Sequence, residues 1–134
     1  MSGVFVDTAA LLALLDRAQS EHERAASTWR SLLAASEVLH TTNYVLVETF
    51  ALTQRRLGIA AVRTFQRDFV PLLEIDWVDP TVHEAAVAAL LAADRRRLSL
   101  VDLVSFEVMQ LRGLQRAFTF DEDFAAWGFE TLPG

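Results

Sequence analysis

The chain reads as an α/β protein, with a mostly parallel sheet and helices packed on it. Short apolar, β-prone runs alternate with stretches of helical period, the order that builds parallel sheets. Capping residues and glycines bracket the helical stretches. Two acids, Asp7 and Asp121, stand directly behind strand-like runs. In such sheets ligands bind beyond the carboxyl ends of the strands, near a switch in strand order.

Each element has its own justification. Gly3 to Val6 is apolar and β-prone, a buried strand. Thr8 opens a helical pattern, Ala9 to Leu15, that stops near Asp16-Arg17. A helix fits Ser20 to Ala35, with Ser20 and Glu23 at capping-box spacing and an apolar stripe of Ala26, Trp29, Leu32 and Leu33. Val38 to His40 is a short strand. Thr42 or Asn43 caps a helix that runs to Leu57, where Gly58 stops it. Ile59 to Phe69 is a fourth helix, ended by Pro71, and Leu73 to Val78 is a strand. Pro80 suits a first helical position and opens a helix to Ala93. Arg95-Arg96-Arg97 is a charged connection. Ser99 caps a helix from Leu100 to Arg112, closed by Gly113. Ala117 to Phe120 is a strand, Asp121 caps a short helix ending near Gly128, and Phe129 to Leu132 is a last edge strand.

At 134 residues, 52% of them hydrophobic, the chain suits one domain, residues 1–134, with a proper core. No repeat, low-complexity tract or linker interrupts it. The absence of cysteine rules out disulfides and thiolate metal sites and fits a reducing cytosol, so a cytoplasmic location is expected. No signal peptide or membrane-length apolar run is evident. The net charge of −6 argues against wholesale nucleic-acid binding. All 12 basic residues are arginine, which suits bidentate phosphate contact, although genome composition is the simpler explanation of that bias.

The informative residues are four acids set in apolar surroundings. Asp7 ends Val4-Phe5-Val6, Glu48 interrupts Val45-Leu46-Val47, Asp102 follows Leu100-Val101, and Asp121 ends Ala117 to Phe120. Acids are rarely buried unless their charge is compensated. Each also has a structural explanation. Asp7 and Asp121 can serve as N-caps, and Asp102, three residues after Ser99, can complete a capping box. Glu48 is mid-helix, where capping is impossible. No arginine lies three or four positions away, which leaves a distant salt bridge as its structural role. Gathered in one pocket, the four make a site for a hard divalent cation such as Mg²⁺ or Mn²⁺. Such an ion activates water and stabilises an in-line displacement at a phosphodiester. His22 and His83 fall on expected helix exteriors and His40 at a strand end, so no histidine is expected as a general base.

With these positions in place, the chain resembles a PIN domain, and specifically a VapC-type toxin ribonuclease. Val4-Phe5-Val6-Asp7-Thr8 resembles the opening strand of that family with its first acid. Thr42 to Glu48 resembles the helix carrying the conserved Glu, and Leu98 to Asp102 the segment carrying the third acid. Ala117 to Phe124 resembles the C-terminal signature, followed by Gly128-Phe129 and Leu132-Pro133. The resemblance spans essentially the whole chain. It implies a three-layer fold with a mostly parallel central sheet, Mg²⁺- or Mn²⁺-dependent cleavage of RNA, a homodimer and a neutralising antitoxin. It assigns metal-ligand and catalytic roles to Asp7, Glu48, Asp102 and Asp121, an auxiliary role to Asp123, and orienting roles to Thr8 and Thr119. RNA contact is expected from Arg95-Arg96-Arg97, Arg55-Arg56 and Arg112, whose alternative role is solvation of helix ends. The helix bearing Trp29 is a candidate dimer or antitoxin surface.

Two other functions fit less of the sequence. A metal-dependent phosphatase forming an aspartyl-phosphate needs a second acid two residues after Asp7, where Ala9 stands. A non-catalytic module that binds RNA or protein has no need of all four acids.

Overall fold

Val4–Val6 forms β1, and all three of its side chains are fully buried. A strand apolar on both faces belongs in the middle of a parallel sheet. A computed structural model describing residues 3–93 and 98–134 places it there. The remaining strands are β2 (Leu39–Thr42), β3 (Glu74–Asp76), β4 (Arg116–Phe118) and β5 (Glu130–Leu132). Their order is β3-β2-β1-β4-β5 and every pairing is parallel. The helices among the described residues are α1 (Thr8–Leu15), α2 (His22–Ala34), α3 (Asn43–Leu57), α4 (Ile59–Thr64), α5 (Pro80–Ala93), α6 (Leu100–Arg112) and α7 (Glu122–Ala126), and they flank the sheet.

The strand order decides where a ligand can sit. The chain moves outward from β1 through β2 to β3, then returns to place β4 on the other side of β1. That reversal is a topological switch point, and the crevice it opens lies beyond the carboxyl ends of β1 and β4. Asp7 follows β1, and Thr119 to Asp121 follow β4. The Asp7 N–H donates to the Phe118 carbonyl at 3.1 Å, so the ladder carries the Asp7 backbone to the mouth of the crevice.

Several expected boundaries shift, each for a local reason. Residues 16–21 form turns, with the Ala18 N–H on the Asp16 carboxylate at 3.0 Å. α2 therefore starts at His22 without a side-chain cap, and the Ser20–Glu23 capping box does not form. The fourth helix tightens and loosens: α4 passes into a π-helical turn at Phe65–Phe69 and a 3-10 turn at Val70–Leu72 that contains Pro71. The strand after it is only Glu74–Asp76, β2 reaches Thr42, and β4 ends at Phe118 rather than Phe120. Trp29 is buried against Phe69 and Phe118, with ring centroids at 5.5 and 6.5 Å. It is a core residue, so it does not itself form a partner surface. Arg95-Arg96-Arg97 lies outside the described residues.

Glycine matters at two places. Gly113 closes α6 at φ 68, a left-handed cap whose N–H reaches the Gln110 carbonyl. Gly3 has φ 116, and a β-carbon there would press within 3.2 Å of both the His40 ring and Leu114.

Candidate metal centre

Four short segments bring the acids together. Asp7 leaves β1 with extended backbone, and its carbonyl accepts the Leu11 N–H at 3.2 Å, so α1 starts directly from it. Its carboxylate makes no capping bond, which removes the N-cap explanation. Instead Oδ2 accepts the Thr119 hydroxyl at 3.0 Å, and the Thr119 oxygen accepts the Asp121 N–H at 2.9 Å. Thr119 thus ties the two acids at the switch point to each other. Behind them, Thr8 accepts the Thr49 hydroxyl at 3.3 Å, joining α1 to α3 one residue from Glu48.

Asp102 fills the capping role expected of it and also stands among the acids. It completes a capping box with Ser99: its N–H donates to Ser99 Oγ and its Oδ2 accepts the Ser99 N–H, each at 3.1 Å. Only Oδ2 is engaged in the box, so capping and ligation are compatible. Asp121 caps α7 by accepting the Asp123 N–H at 2.9 Å. Asp102, Asp121 and Asp123 each offer a carboxylate oxygen, and these oxygens lie within 4.8 Å of one another. That spacing and the all-oxygen donor set fit a hard divalent cation.

The expected five-residue site is therefore resolved into a tight group and two neighbours. Asp123, expected as an auxiliary, belongs to the tight group. Asp7 and Glu48 lie outside it but within electrostatic reach. Asp7 is only 4% exposed. Burial pushes its carboxyl up to about 7, the Thr119 hydroxyl opposes the rise, and the negative charges of Asp102 and Asp121 add to it. Asp102 is also raised, first by burial, with Asp121 and then Glu48 contributing repulsion. Glu48 is half-buried on α3, and among the described residues no arginine pairs with it. The distant salt bridge, the alternative to a metal role for Glu48, is thus not seen among them.

A second buried acid escaped the sequence reading. Asp76, at the end of β3, is 9% exposed and holds Arg112 at 2.7 Å and His40 Nδ1 at 3.2 Å. The signal was present, an acid inside the apolar run Leu73 to Val78, but its cations arrive from β2 and α6. Arg112, expected as an RNA contact, is engaged by this pair. The exteriors expected for His22 and His83 are also not found. Both are half-buried, His22 with Nδ1 on the Ala13 carbonyl at 2.8 Å and His83 hydrogen-bonded to the Tyr44 hydroxyl.

The PIN domain model matches residues 4–130. The chain is 37% identical over 127 residues to the 23S rRNA-specific endonuclease VapC20 of Mycobacterium tuberculosis, covering 94% of this chain and 95% of that protein. The crystal structure of M. tuberculosis VapC20, described as a Sarcin-Ricin loop cleaving toxin, superposes with a TM-score of 0.82 at 35% identity over 95% of this chain and 96% of that one. The DNA-bound VapBC of Salmonella typhimurium shares the fold, with a TM-score of 0.67 at 18% identity over 98% and 97% of the two chains. By its sheet order, by the acids at its switch point and by these likenesses, the chain belongs to the PIN domain family.

Proposed function

We propose that the protein is a divalent-metal-dependent endoribonuclease of the VapC toxin type, with residues 1–134 forming one PIN domain. One observation carries the reading: Asp102, Asp121 and Asp123 oxygens within 4.8 Å of one another, beside a buried Asp7 that no cation of the described chain neutralises. A buried carboxyl such as Asp7, raised by burial and by neighbouring acids, is what an external cation would relieve.

Asp102, Asp121 and Asp123 would hold the ion, with Asp7 and Glu48 completing the negative shell, and Mg²⁺ or Mn²⁺ fits this donor set. When bound, the ion supplies a nucleophilic water at neutral pH and neutralises charge on the phosphodiester. The chain's own work is positioning. Thr119 fixes Asp7 and Asp121, and the Ser99 box fixes Asp102. With a carboxyl near 7, Asp7 holds a proton part of the time at neutral pH, and cation binding releases it.

The likeness to a 23S rRNA-specific endonuclease supports ribosomal RNA as the substrate. An antitoxin neutralising the acidic pocket with a basic side chain, a homodimer and a cytoplasmic location complete the proposal. No described helix is long and apolar enough to cross a membrane. The test is incubation of ribosomes and of free RNA with Mg²⁺, Mn²⁺ or EDTA, wild type beside Asp102→Asn. Cleavage that needs metal and vanishes in the variant supports the reading. Metal-independent RNA binding without cleavage would move the protein to the non-catalytic class.

A further inference from the structure

We infer that the cleft formed by Tyr44, Val47, Glu48 and Val101 is a nucleobase subsite, which seats the base next to the scissile phosphate against the Tyr44 ring. The inference rests on the ribonuclease reading for its substrate class and deepens it.

The cleft is a cavity of about 320 Å³ lined by Asn43, Tyr44, Val47, Glu48 and Val101. It shares Glu48 with the acids. Glu48 forms one wall and acts electrostatically on Asp102, and Val101 directly precedes Asp102 on α6. A strand whose phosphate lies at the acids must place a neighbouring nucleotide in this direction or the opposite one. The lining favours its base over its phosphate. Among the described residues, none that lines the cleft is basic and the one charge is negative, which disfavours a phosphate there and suits an uncharged, flat, largely apolar base. Val47 is 67% exposed, an apolar side chain on α3 that lines the cleft and is open to solvent.

The walls are also fixed in advance. Tyr44 and Glu48 are four residues apart on α3 and share a face. The Tyr44 hydroxyl is hydrogen-bonded to His83 Nδ1 of α5, with the two rings edge to face at 5.9 Å. What Tyr44 can offer the cleft is its ring, already held in place at no further ordering cost. Asn43 Oδ1 accepts the Val78 N–H at 2.8 Å. That bond sets the orientation of the amide and leaves its NH₂ to donate to an acceptor on the edge of a base. The result is a stacking surface with one polar reader beside the candidate metal centre.

The test has a binding arm and a cleavage arm, using wild type, Tyr44→Phe, Tyr44→Leu and Val47→Gln. In the first, 5′-AMP, GMP, CMP and UMP are titrated with Mg²⁺ present, and the amide resonances of residues 43–48 and 101 are followed by NMR. Saturable shifts centred on Tyr44 and Val47, kept in Tyr44→Phe and weakened about tenfold in Tyr44→Leu and Val47→Gln, are expected. In the second, short RNAs of randomised sequence are cut and the products sequenced. Wild type and Tyr44→Phe should share a base preference beside the cut. Tyr44→Leu and Val47→Gln should lose it through a raised KM with kcat within about threefold, the signature of lost binding rather than lost chemistry.

If Tyr44→Leu does not fold, the exposed Val47→Gln carries the test. No shifts in wild type, or unchanged shifts and preference in both disruptive variants, overturns the inference. Equal losses in Tyr44→Phe and Tyr44→Leu would make the hydroxyl, not the ring, the working part and overturn the stacking assignment. Unchanged RNA behaviour with loss of neutralisation by a protein partner would assign the cleft to that partner instead. A wild type that binds nucleotides here but cuts no RNA would overturn the ribonuclease reading and leave the subsite standing.

Discussion

Asp7 and Asp76 are acids buried at strand ends of one sheet, and their surroundings are opposite in charge. Asp76 is met by Arg112 and by His40, so its charge is compensated within the fold. Asp7 meets a hydroxyl from Thr119 and the negative fields of Asp102 and Asp121, so burial and repulsion drive its carboxyl to about 7. A paired buried acid fastens elements together, and removing one partner strands the other. An acid surrounded by acids destabilises the metal-free fold, which is how a site for an external cation differs from a structural ion pair.

The sharpest break between the two is chemical. Asp7→Asn and Asp102→Asn should each lower RNA cleavage on the order of a thousandfold while the protein stays folded, whereas Asp76→Asn should leave cleavage per folded molecule unchanged. Initial rates normalised to the folded fraction by circular dichroism test this. Full activity in either of the first two removes that residue from the site.

Next comes the pH dependence of stability. The folded carboxyl of Asp7 lies at about 7 against its ordinary value of 3.8, so between those values the folded state holds the proton more tightly than the unfolded chain. Metal-free stability should therefore be full below about pH 4, fall as pH rises, and level off above about pH 7, a loss of about 4 kcal/mol. In Asp7→Asn that component should vanish, raising metal-free stability above wild type at pH 8 or so, and Mn²⁺ should restore wild type most strongly at the higher pH. Denaturant melts of the two proteins across pH measure it, and parallel curves would count against the raised carboxyl.

Asp76→Asn should cost about 2 kcal/mol, less than a fully buried pair because Arg112 is 58% exposed on its side chain. A fall in Tm of roughly 5–10 °C is the expected reading. The smallest effect belongs to Arg67→Ala. Its pair with Asp68 at 2.8 Å is on the open surface, and Tm should not move measurably. A clear drop there would blur the distinction between buried and exposed pairs.

Much of this was legible in the sequence because the signals are local. The α6 boundaries followed from Ser99 and Gly113, those of α5 from Pro80, and the capping box from the Ser99–Asp102 spacing. A cap is a bond between residues three apart and needs no knowledge of the rest of the chain. The Ser20–Glu23 box failed because turns anchored by Asp16 claimed those residues first, a competition spacing alone does not reveal. The acids stood out by the same reasoning, since a charge in an apolar run is visible wherever it falls.

By itself the sequence determined the order of strands and helices, that the sheet is mostly parallel, and that Asp7, Glu48, Asp102 and Asp121 stand in apolar runs. Only the tertiary structure decided what each acid faces. Asp76 carries the same sequence signal as Asp7, and what separates them comes from 36 residues before and after: His40 and Arg112 reach the one. Asp102 and Asp121 surround the other, and Asp123 joins them in the tight group. Coulomb energy depends on distance in space, which the strand order sets, and not on separation along the chain.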